Sequence, residues 1–415
     1  MKPERILMIS YHTCPLASEE GKETGGMNIY VYELSKSLSR MGYKVDAITR
    51  CQEEDKKRIV QVDKNFRVIH LDAGPHSPLD KNKLMDYLDE FTESFKSWVQ
   101  NEKLNYGLIH AHYYQSGLVA LKIKESLIQP IPLVMTFHTL ALMKNLVART
   151  PQEMESQVRI DAEFSLTQKS DVIVTPSSSD KEYLQYLYDV PPEKIFEIAP
   201  GVNTQLFKPM DKKLAKKKIN LRSDEKIILF VGRVEPLKGI DVLLYALKIL
   251  LSQASDLKVR LLIVGGDISQ HITKWSPQLK KLEELRHILG ISANVDFVGQ
   301  KPQLELPYYY NASEIVVMPS HYESFGIAAA EAMACGTPVI TTNVTGISNL
   351  IDQQRSTLVT TVNNPLLLAS QIKQMLTDEK IYNETRKNIM ENTKDLSWDK
   401  IALQIVRAYQ KFIRN

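Results

Sequence analysis

The chain has 415 residues, with 52 lysines and arginines against 49 aspartates and glutamates, and a net charge of +3. This near balance gives no support for a nucleic-acid-binding protein, which normally carries a basic stripe. The hydrophobic share of 43% is typical of a globular protein, and the length exceeds one ordinary core, so two domains are expected.

The cysteines and the apolar runs of the sequence indicate the cellular compartment of the protein. Cys14, Cys51 and Cys335 are far apart and odd in number, so neither a metal spacing nor a disulfide framework is readable, as expected in a reducing cytoplasm. The opening MKPERILMIS has too short an apolar run for a signal peptide, and no run approaches the ~18 residues of a membrane span. The sequence therefore predicts a cytoplasmic protein without integral membrane contact.

In the first half, short buried-strand patterns alternate with helical periods. The predicted strands cover residues 5–10, 44–49, 66–71, 107–112, 132–138 and 171–177. The predicted helices cover residues 28–42, 83–100, 117–127 and 156–170. Strands separated by helices indicate a parallel sheet with helices on both faces.

The second half repeats this scheme. Its predicted strands cover residues 226–232, 259–266, 294–299, 314–320 and 338–342, and its helices cover 239–253, 278–290, 303–313 and a segment starting near Phe325. The fold class is therefore α/β, with two Rossmann-like doubly wound domains that face each other across a cleft. In such sheets, ligands bind at the carboxyl ends of the strands, beside helix N-termini.

The boundary between the two domains is expected within residues 199–226, which hold two prolines, a glycine and a lysine run. This run is interpreted as a solvated linker face and comprises Lys212, Lys213, Lys216, Lys217 and Lys218. The predicted domains are 1–200 and 201–395, followed by a C-terminal helix in 396–415 that is expected to pack back on the first domain. A crossover of this kind is expected to let the domains close when the donor binds first.

KETGGMNIYV, residues 22–31, places Gly25 and Gly26 where a loop enters a helix. Glycine lets the backbone approach an anion, and a helix N-terminus supplies N–H groups and a positive dipole end. An ordinary loop is the alternative. No Gly-x-Gly-x-x-Gly is present in the sequence, which disfavours an NAD enzyme.

FVGRVEPLKGID, residues 230–241, ends a strand at Gly232 and puts Arg233 and Lys238 in the turn before a helix. Solvated surface cations are the plain alternative. Two cations opposite the Gly-Gly helix entry would also clamp a diphosphate and stabilise the negative charge that develops on a phosphate leaving group.

SHYESFGIAAAEAMACG, residues 320–336, carries Glu323 in a loop after a buried strand and Glu331 along the following helix. The first amides of that helix, at Phe325, Gly326 and Ile327, are expected to point at the cleft. A carboxylate at the helix tip can hold sugar hydroxyls, and one two turns later can hold a ribose. The alternative is a helix whose two acids merely favour its start and its surface.

These motifs resemble those of the GT-B glycosyltransferases of family 4, the glycosyl transferases group 1. The spacing from Glu323 to Glu331 is similar to the Glu-x7-Glu signature, and the turn with Arg233 and Lys238 and the Gly25–Gly26 loop match as well. The resemblance covers essentially the whole chain. Within the family it is strongest to the enzymes that glycosylate D-inositol 3-phosphate, followed by bacterial sucrose-phosphate synthases.

The resemblance implies roles for individual residues on the donor side. A UDP-sugar would be held through its diphosphate, its ribose, its sugar and its base. The implied donor-binding residues are Gly25, Gly26, Arg233, Lys238, Gln300, Lys301, Glu323, Ser324, Phe325, Gly326, Ile327 and Glu331. The implied catalytic residues are His138, Arg233, Lys238 and Glu323. UDP is the expected nucleotide, and GDP and ADP remain open.

On the acceptor side, the resemblance implies a phosphate pocket formed by Lys81, Tyr113, Thr139 and Arg159, with Asn28 touching the acceptor ring. Each has a structural alternative, and Arg159 in particular shares a helix with Asp161 and Glu163. His110 and His112 lack a carboxylate partner and are interpreted as structural rather than as a metal pair.

The expected activity is retaining transfer of glucose or N-acetylglucosamine to a small phosphorylated acceptor such as inositol phosphate, without a metal or other cofactor. Fructose 6-phosphate, a lipid-linked acceptor or another sugar remain alternatives. A sugar-nucleotide epimerase or binding protein on the same fold is the non-transferase alternative. The expected partners are thus a UDP-sugar and a phosphorylated acceptor, with no nucleic acid and with a homodimer left open.

Overall fold

The structure is a computed structural model that describes residues 5–17, 25–80, 82–126, 130–343, 346 and 358–413. The chain divides into two compact units. Met1–Pro200 together with Trp398–Asn415 form the first unit, and Gly201–Ser397 form the second. Each unit has its own sheet and its own hydrophobic core.

The first unit contains an eight-stranded sheet in the order β3-β4-β2-β1-β5-β6-β7-β8. Its strands are β1 Arg5–Ile9, β2 Lys44–Arg50, β3 Ile59–Asp63, β4 Phe66–Leu71, β5 Leu108–His112, β6 Leu133–Thr136, β7 Val172–Thr175 and β8 Ile195–Glu197. The central strands read as unbroken apolar runs because helices cover both faces of a parallel sheet.

One edge of this sheet differs from the predicted parallel pattern. β3 pairs antiparallel with β4, whereas the neighbouring pairs from β4 to β8 are parallel. Only Lys64 and Asn65 separate the two strands, and a parallel pairing would need a crossover of a dozen residues or more. The predicted parallel sheet therefore carries one additional antiparallel edge strand that was not predicted from the sequence.

The helices of the first unit are α1 Gly26–Arg40, α2 Leu88–Glu102, α3 Tyr114–Ser126, α4 Ala141–Val147, α5 Gln157–Lys169, α6 Ser178–Leu187 and, at the end of the chain, Trp398–Ile413. This C-terminal helix packs on α1 and contributes Ile401, Ala402 and Ile405 to the core cluster of the first sheet. Its apolar residues recur at helical spacing, so one face is buried while the other stays polar.

The second unit contains a six-stranded sheet in the order β11-β10-β9-β12-β13-β14, with every pair parallel. Its strands are β9 Lys226–Val231, β10 Val259–Val264, β11 Val295–Gly299, β12 Ile315–Met318, β13 Val339–Thr342 and β14 Leu358–Thr360. Its helices are α7 Lys212–Lys218, α8 Ile240–Gln253, α9 Pro277–Ile288, α10 Leu306–Ala312, α11 Ile327–Ala334, α12 Pro365–Thr377 and α13 Glu379–Asn392. The predicted pair of parallel-rich α/β sheets of the Rossmann type is thus confirmed.

The lysine run at the start of the second unit is a helix rather than a linker, although Lys213, Lys217 and Lys218 are exposed as expected for a solvated face. It forms α7, which begins at the N-cap Asp211 and packs against α10. Lys216 is 4% exposed, and its Nζ donates to the carbonyl of Glu225 over 2.6 Å and lies 3.4 Å from Glu314. A long lysine stem can cross apolar surface while its ammonium finds acceptors, and charge counting alone misses this.

Candidate active site

Glycines line the carboxyl ends of three strands in the second unit. A Cβ added at Gly265, which follows β10, would lie 1.9 Å from the carbonyl oxygen of Gly232, which follows β9. The Gly265 amide donates to the carbonyl of Gly299 at the end of β11, over 2.9 Å. Because these positions carry no side chains, a ligand can approach the main chain here directly.

A second close approach joins the turn after β9 to the loop after β12. Gly239 has φ of +64°, and an added Cβ would lie 2.1 Å from the carbonyl oxygen of Pro319. The amide of His321 donates to the carbonyl of Leu237 over 2.8 Å. This docking of two loops brings Lys238 into an ion pair with a residue of the second loop, Glu323.

The Lys238–Glu323 pair lies at the strand ends where the diphosphate and sugar contacts were predicted. The two side chains are 13% and 18% exposed, so the pair is shielded yet reachable from solvent. Arg233 pairs instead with Glu235 over 2.7 Å, and both of these side chains are about 40% exposed. A diphosphate could therefore engage both cations only by sharing or displacing their carboxylates.

The loop after β12 enters α11 as the sequence predicted, although the helix begins at Ile327 rather than near Phe325. Gly326 caps the helix with φ of +94°. Ser324 and Phe325 are 7% and 4% exposed, so both of these loop side chains are buried. The N-terminal amides and positive dipole end of α11 thus lie within three residues of these predicted donor-binding positions along the chain.

Glu331 is buried one helical turn further on. Its Oε2 accepts a hydrogen bond from the Tyr310 hydroxyl over 2.8 Å, and its Oε1 accepts one from Gln303 Nε2 over 3.5 Å. Burial and the charge of Glu331 raise the pKa of Tyr310, which keeps the phenol protonated. Gln300, which is exposed, and Lys301, which is half-buried, follow β11 on the same chain segment as Gln303.

In the first unit, His138 follows β6 and adopts φ of +62°, which is unusual for a residue with a side chain. Its Nε2 lies 3.1 Å from Nδ1 of His112, and its ring packs edge-on against Tyr30 with ring centroids 5.1 Å apart. Burial lowers the pKa of His138 to about 3, so the imidazole is neutral at pH 7.

A further histidine continues this row inward. His110 Nδ1 lies 2.7 Å from the Tyr409 hydroxyl of the C-terminal helix, and its Nε2 lies 2.9 Å from Thr136 Oγ1. Burial, with a smaller contribution from His138, lowers the pKa of His110 to about 3. His110 and His112 therefore belong to a neutral hydrogen-bonded network, in agreement with their interpretation as structural.

Arg159 lies at the centre of a buried ionic network. Its Nε donates to Glu163 Oε1 over 2.8 Å, its Nη2 donates to Thr139 O and Oγ1 over 2.9 and 3.1 Å, and its Nη1 lies 2.9 Å from Glu155 Oε1. Burial would lower the pKa of Arg159, but Tyr113 and the two glutamates raise it, so the guanidinium stays charged. The structure thus brings the predicted residues Arg159 and Thr139 together.

Two tyrosines enclose this guanidinium. Its carbon lies 4.9 Å from the ring centroid of Tyr113 and 5.3 Å from that of Tyr114. Tyr113 has φ of +74°, which turns its ring toward α5 at the end of β5. Burial raises the pKa of the Tyr113 hydroxyl, so the group remains a neutral hydrogen-bond donor. Tyr113, Thr139 and Arg159 accordingly form one cluster.

Asn28 is committed to the loop that precedes its helix. Its Nδ2 donates to Thr13 Oγ1 and to the carbonyl of Cys14 over 2.5 and 2.7 Å, and its Oδ1 accepts from the Gly25 amide over 3.3 Å. Asn28 therefore orders the Gly25–Gly26 helix entry, and the predicted contact with an acceptor ring would have to compete with these bonds. Lys81, the fourth predicted phosphate ligand, lies outside the described residues.

Several residues of these clusters were not predicted. Glu155, four residues before Arg159, has the spacing of a helical ion pair and could have been predicted from the sequence, whereas Glu163, four residues after Arg159, was already noted as a structural alternative. Lys144 and Tyr310 left no such signal, because their partners are distant along the chain or separated by a loop.

Among the described residues, a different group of possible metal ligands consists of Cys51, Asp72 and His76. Arg58 already pairs with Asp72.

Two Rossmann-like sheets, of which the second has glycine-lined and ion-paired strand ends, are the architecture of the GT-B glycosyltransferases. Residues 24–206 match the model of glycosyltransferase family 4, and residues 211–396 match that of the glycosyl transferases group 1. The chain belongs to this glycosyltransferase family. Among the described residues, no helix has both the length and the apolar character needed to cross a membrane.

Relatives of known name cover the chain almost completely. A D-inositol 3-phosphate glycosyltransferase of Corynebacterium glutamicum is 32% identical over 99% of this chain and 97% of its own length. Sucrose-phosphate synthase from Thermosynechococcus elongatus superposes with a TM-score of 0.88 at 30% identity, and covers 99% of both chains. Anabaena HepE, solved with UDP and glucose, shares the fold with a TM-score of 0.75 at 18% identity, over 99% of this chain and 100% of its own.

Proposed function

We propose that this glycosyltransferase moves a hexose from a UDP-sugar to a small phosphorylated acceptor, with retention of the anomeric configuration. The observation that carries the proposal is the Lys238–Glu323 pair at the glycine-lined strand ends of the second unit. One member of that pair is suited to a diphosphate and the other to sugar hydroxyls. The two relatives above that are at least 30% identical both carry a sugar or polyol phosphate in their names.

The donor is proposed to bind to the second unit. Lys238 and Arg233 neutralise the diphosphate together with the N-terminal amides of α11, and Glu323 accepts hydrogen bonds from the sugar. Glu331 accepts bonds from the ribose hydroxyls, which would replace or join its bond from Gln303. Anabaena HepE was also solved with UDP-glucose, so this fold can hold such a donor.

The acceptor phosphate is proposed to bind to the first unit at Arg159, Thr139 and Tyr113. A planar guanidinium and two hydroxyls supply enough donors for a phosphate dianion. Lys81 belongs to the same proposed pocket. His138 is neutral and hydrogen-bonded to His112, and it is proposed to donate a hydrogen bond rather than a proton to the reacting sugar.

In the proposed reaction, the bond from the anomeric carbon to the diphosphate oxygen breaks and a bond to the acceptor hydroxyl oxygen forms on the same face. The proton of that hydroxyl passes to the departing diphosphate, so no charge or atom is left over. Catalysis then consists of positioning plus stabilisation of the charge on the leaving group. The described contacts of His138 are with His112 and Tyr30 and include no carboxylate that could act as a nucleophile.

The test is release of UDP from UDP-glucose and from UDP-N-acetylglucosamine, with inositol 3-phosphate and unphosphorylated inositol as paired acceptors. We expect release that depends on the phosphorylated acceptor and persists in EDTA, with a product whose anomeric proton shows retention by NMR. Equal rates with inositol and its phosphate would contradict the phosphate pocket. Release of UDP without any acceptor would favour a different activity on this fold.

A second candidate acceptor is fructose 6-phosphate. The specific observation in its favour is the TM-score of 0.88 with sucrose-phosphate synthase over nearly the whole of both chains. Fructose 6-phosphate and fructose therefore enter the same assay as a second matched pair. The larger kcat/KM between the two phosphorylated acceptors decides between the candidates.

A further inference from the structure

Glu155 is a partly exposed partner of a buried guanidinium: its side chain is 21% exposed, whereas that of Arg159 is 2% exposed. Of the three nitrogens of Arg159, Nε is taken by Glu163 and Nη2 by Thr139, while Nη1 is engaged by Glu155. Glu155 also pairs with Lys144. A single carboxylate is therefore held between two cations, which is the arrangement that a bound phosphate would have.

The two glutamates on Arg159 differ sharply in how firmly they are held. Glu163 is completely buried, and its Oε2 accepts from the Ala141 amide over 2.8 Å and from the Tyr188 hydroxyl over 2.6 Å. The side chains of Glu155 and Lys144 are 21% and 28% exposed, and the side-chain partners of Glu155 are the two cations. Glu163 is thus a fixed counter-ion, whereas Glu155 can swing into water.

The charges give a reason for such a movement. Lys144 and Arg159 balance Glu155 and Glu163, so the cluster carries no net charge while Glu155 is in place. A phosphate dianion that approached this neutral cluster would meet the Glu155 carboxylate at close range and be repelled. With Glu155 turned away, two cations face the ligand and only Glu163 opposes them.

We propose that the acceptor phosphate displaces the Glu155 carboxylate and takes both of its cations, which makes Lys144 a phosphate ligand beside Arg159. This rests on the proposed phosphorylated acceptor. Glu155 also selects dianions over monoanions, because only a ligand more negative than a carboxylate gains from the exchange. A neutral polyol leaves the Lys144–Glu155–Arg159 pairing intact and gains neither cation.

The positions of Lys144, Glu155 and Arg159 along the chain support Lys144 as a phosphate ligand. The Glu155 amide donates to Asn145 Oδ1 over 2.7 Å, so the backbone of the loop stays fixed to α4 when the side chain moves. Lys144 lies on α4 itself and Arg159 on α5. The two cations are therefore held by helices, and the exchange needs rotation of one side chain only.

Three variants test the proposal: Glu155→Gln, Lys144→Met and, as a matched control, Glu153→Gln. Glu153 lies in the same loop and accepts only from the Arg149 amide, over 2.9 Å, among its described hydrogen bonds. The measurements are KM and kcat for inositol 3-phosphate and for inositol, and the binding of inositol 3-phosphate by calorimetry. Thermal midpoints separate effects on binding from effects on folding.

We expect Glu155→Gln to bind inositol 3-phosphate about tenfold more tightly, the size of one partly screened charge interaction, while the KM for inositol changes far less. Lys144→Met should weaken the same binding about tenfold, and Glu153→Gln should change nothing. If Glu155→Gln binds the phosphate more weakly, Glu155 instead holds Arg159 in position and the proposal is wrong.

The same data keep the two proposals apart. A wild-type enzyme that does not distinguish inositol 3-phosphate from inositol, nor fructose 6-phosphate from fructose, would overturn the phosphorylated acceptor and this inference with it. A wild-type enzyme that does distinguish them, together with unchanged binding in Lys144→Met and Glu155→Gln, would overturn only the displacement of Glu155. Tighter binding in Glu155→Gln supports both.

Discussion

The two units hold their polar residues in opposite ways. In the first unit, Arg159 is 2% exposed and sits among buried partners, so its contacts serve the fold as well as any ligand. In the second unit, Arg233 and Lys238 form ion pairs that are open to solvent over 42% and 13% of their side chains. The comparison teaches that the same residue type can be a structural element in one half of an enzyme and a replaceable contact in the other.

The largest expected effect of this difference is on stability. Arg159→Met leaves Glu163 buried without its cation, and we expect the free energy of unfolding to fall by about 3–5 kcal/mol. Arg233→Met removes an exposed pair and should cost no more than about 1 kcal/mol. Urea unfolding of both variants checks this. Equal losses would mean that Arg159 is no more structural than Arg233.

The next effect is on turnover. Lys238→Met removes a cation proposed to stabilise the leaving diphosphate, and we expect kcat to fall by about 10²–10³. The control is Lys258→Met, since Lys258 is also ion-paired, to Asp224 over 2.9 Å, but precedes β10 at the opposite end of its strand. Steady-state UDP release measures both. A Lys238→Met enzyme as active as the control would contradict the proposed donor site.

A third expected effect is that the stability of the first unit depends more strongly on pH than that of the second unit. The pKa values of His110 and His138 are held at about 3 by burial, below the ordinary value, so these residues are neutral when folded and bind protons when unfolded below about pH 6.5. Their stability contribution is complete above pH 6.5 and is lost as pH falls toward 3. At pH 5 the loss is about 2 kcal/mol for each histidine.

Hydrogen exchange in β5 and β6, corrected for intrinsic rates and compared with β9 and β12, measures this loss in the first unit. His112→Asn is the matched variant, because burial with His110 and His138 nearby also lowers the pKa of His112. It should reduce the pH slope of the unfolding free energy by about one proton. A slope equal in both units and insensitive to this variant would refute the neutral histidine network.

The smallest expected effect is the difference in stability between substitutions at two glycines of the second unit. Gly239 and Gly290 have nearly equal φ, +64° and +66°, but an added Cβ meets Pro319 at 2.1 Å in the first case and nothing within 4 Å in the second. Gly290→Ala should cost about 1–2 kcal/mol from the left-handed backbone alone. Gly239→Ala should cost about 1 kcal/mol more, since the Lys238 and Glu323 loops must separate. Thermal unfolding compares the two variants directly.

The sequence allowed the core of the fold to be predicted because central parallel strands are continuous apolar runs, as in β1, β9 and β12. The edge strand β3 escaped prediction because its half-buried residues carry no such run. Glu323 and Lys238 were each predicted to bind the donor, but not to pair with each other. Their pairing depends on the close approach at Gly239, which is a property of the assembled chain rather than of either motif.

For the Arg159 cluster, the resemblance predicted the grouping of the residues but not their counter-ions. Tyr113, Thr139 and Arg159 were predicted by resemblance, and the structure gathers them, yet the resemblance gave no sign that Glu155 and Glu163 neutralise the cation. A cation that already has counter-ions binds only a ligand that can displace one of them, whereas a free cation binds any anion. Such balance follows from side-chain packing, which local sequence patterns determine only in part.

The C-terminal helix has a consequence for synthesis. It begins at Trp398, contributes Ile401 and Ile405 to the first core, and offers the Tyr409 hydroxyl to His110. A ribosome finishes Pro200 long before it reaches these residues, so the first unit emerges early but must wait, with an apolar face uncovered, while the whole second unit is translated. Domains otherwise tend to fold in the order in which they leave the ribosome. Here the unit that is begun first can be completed only last.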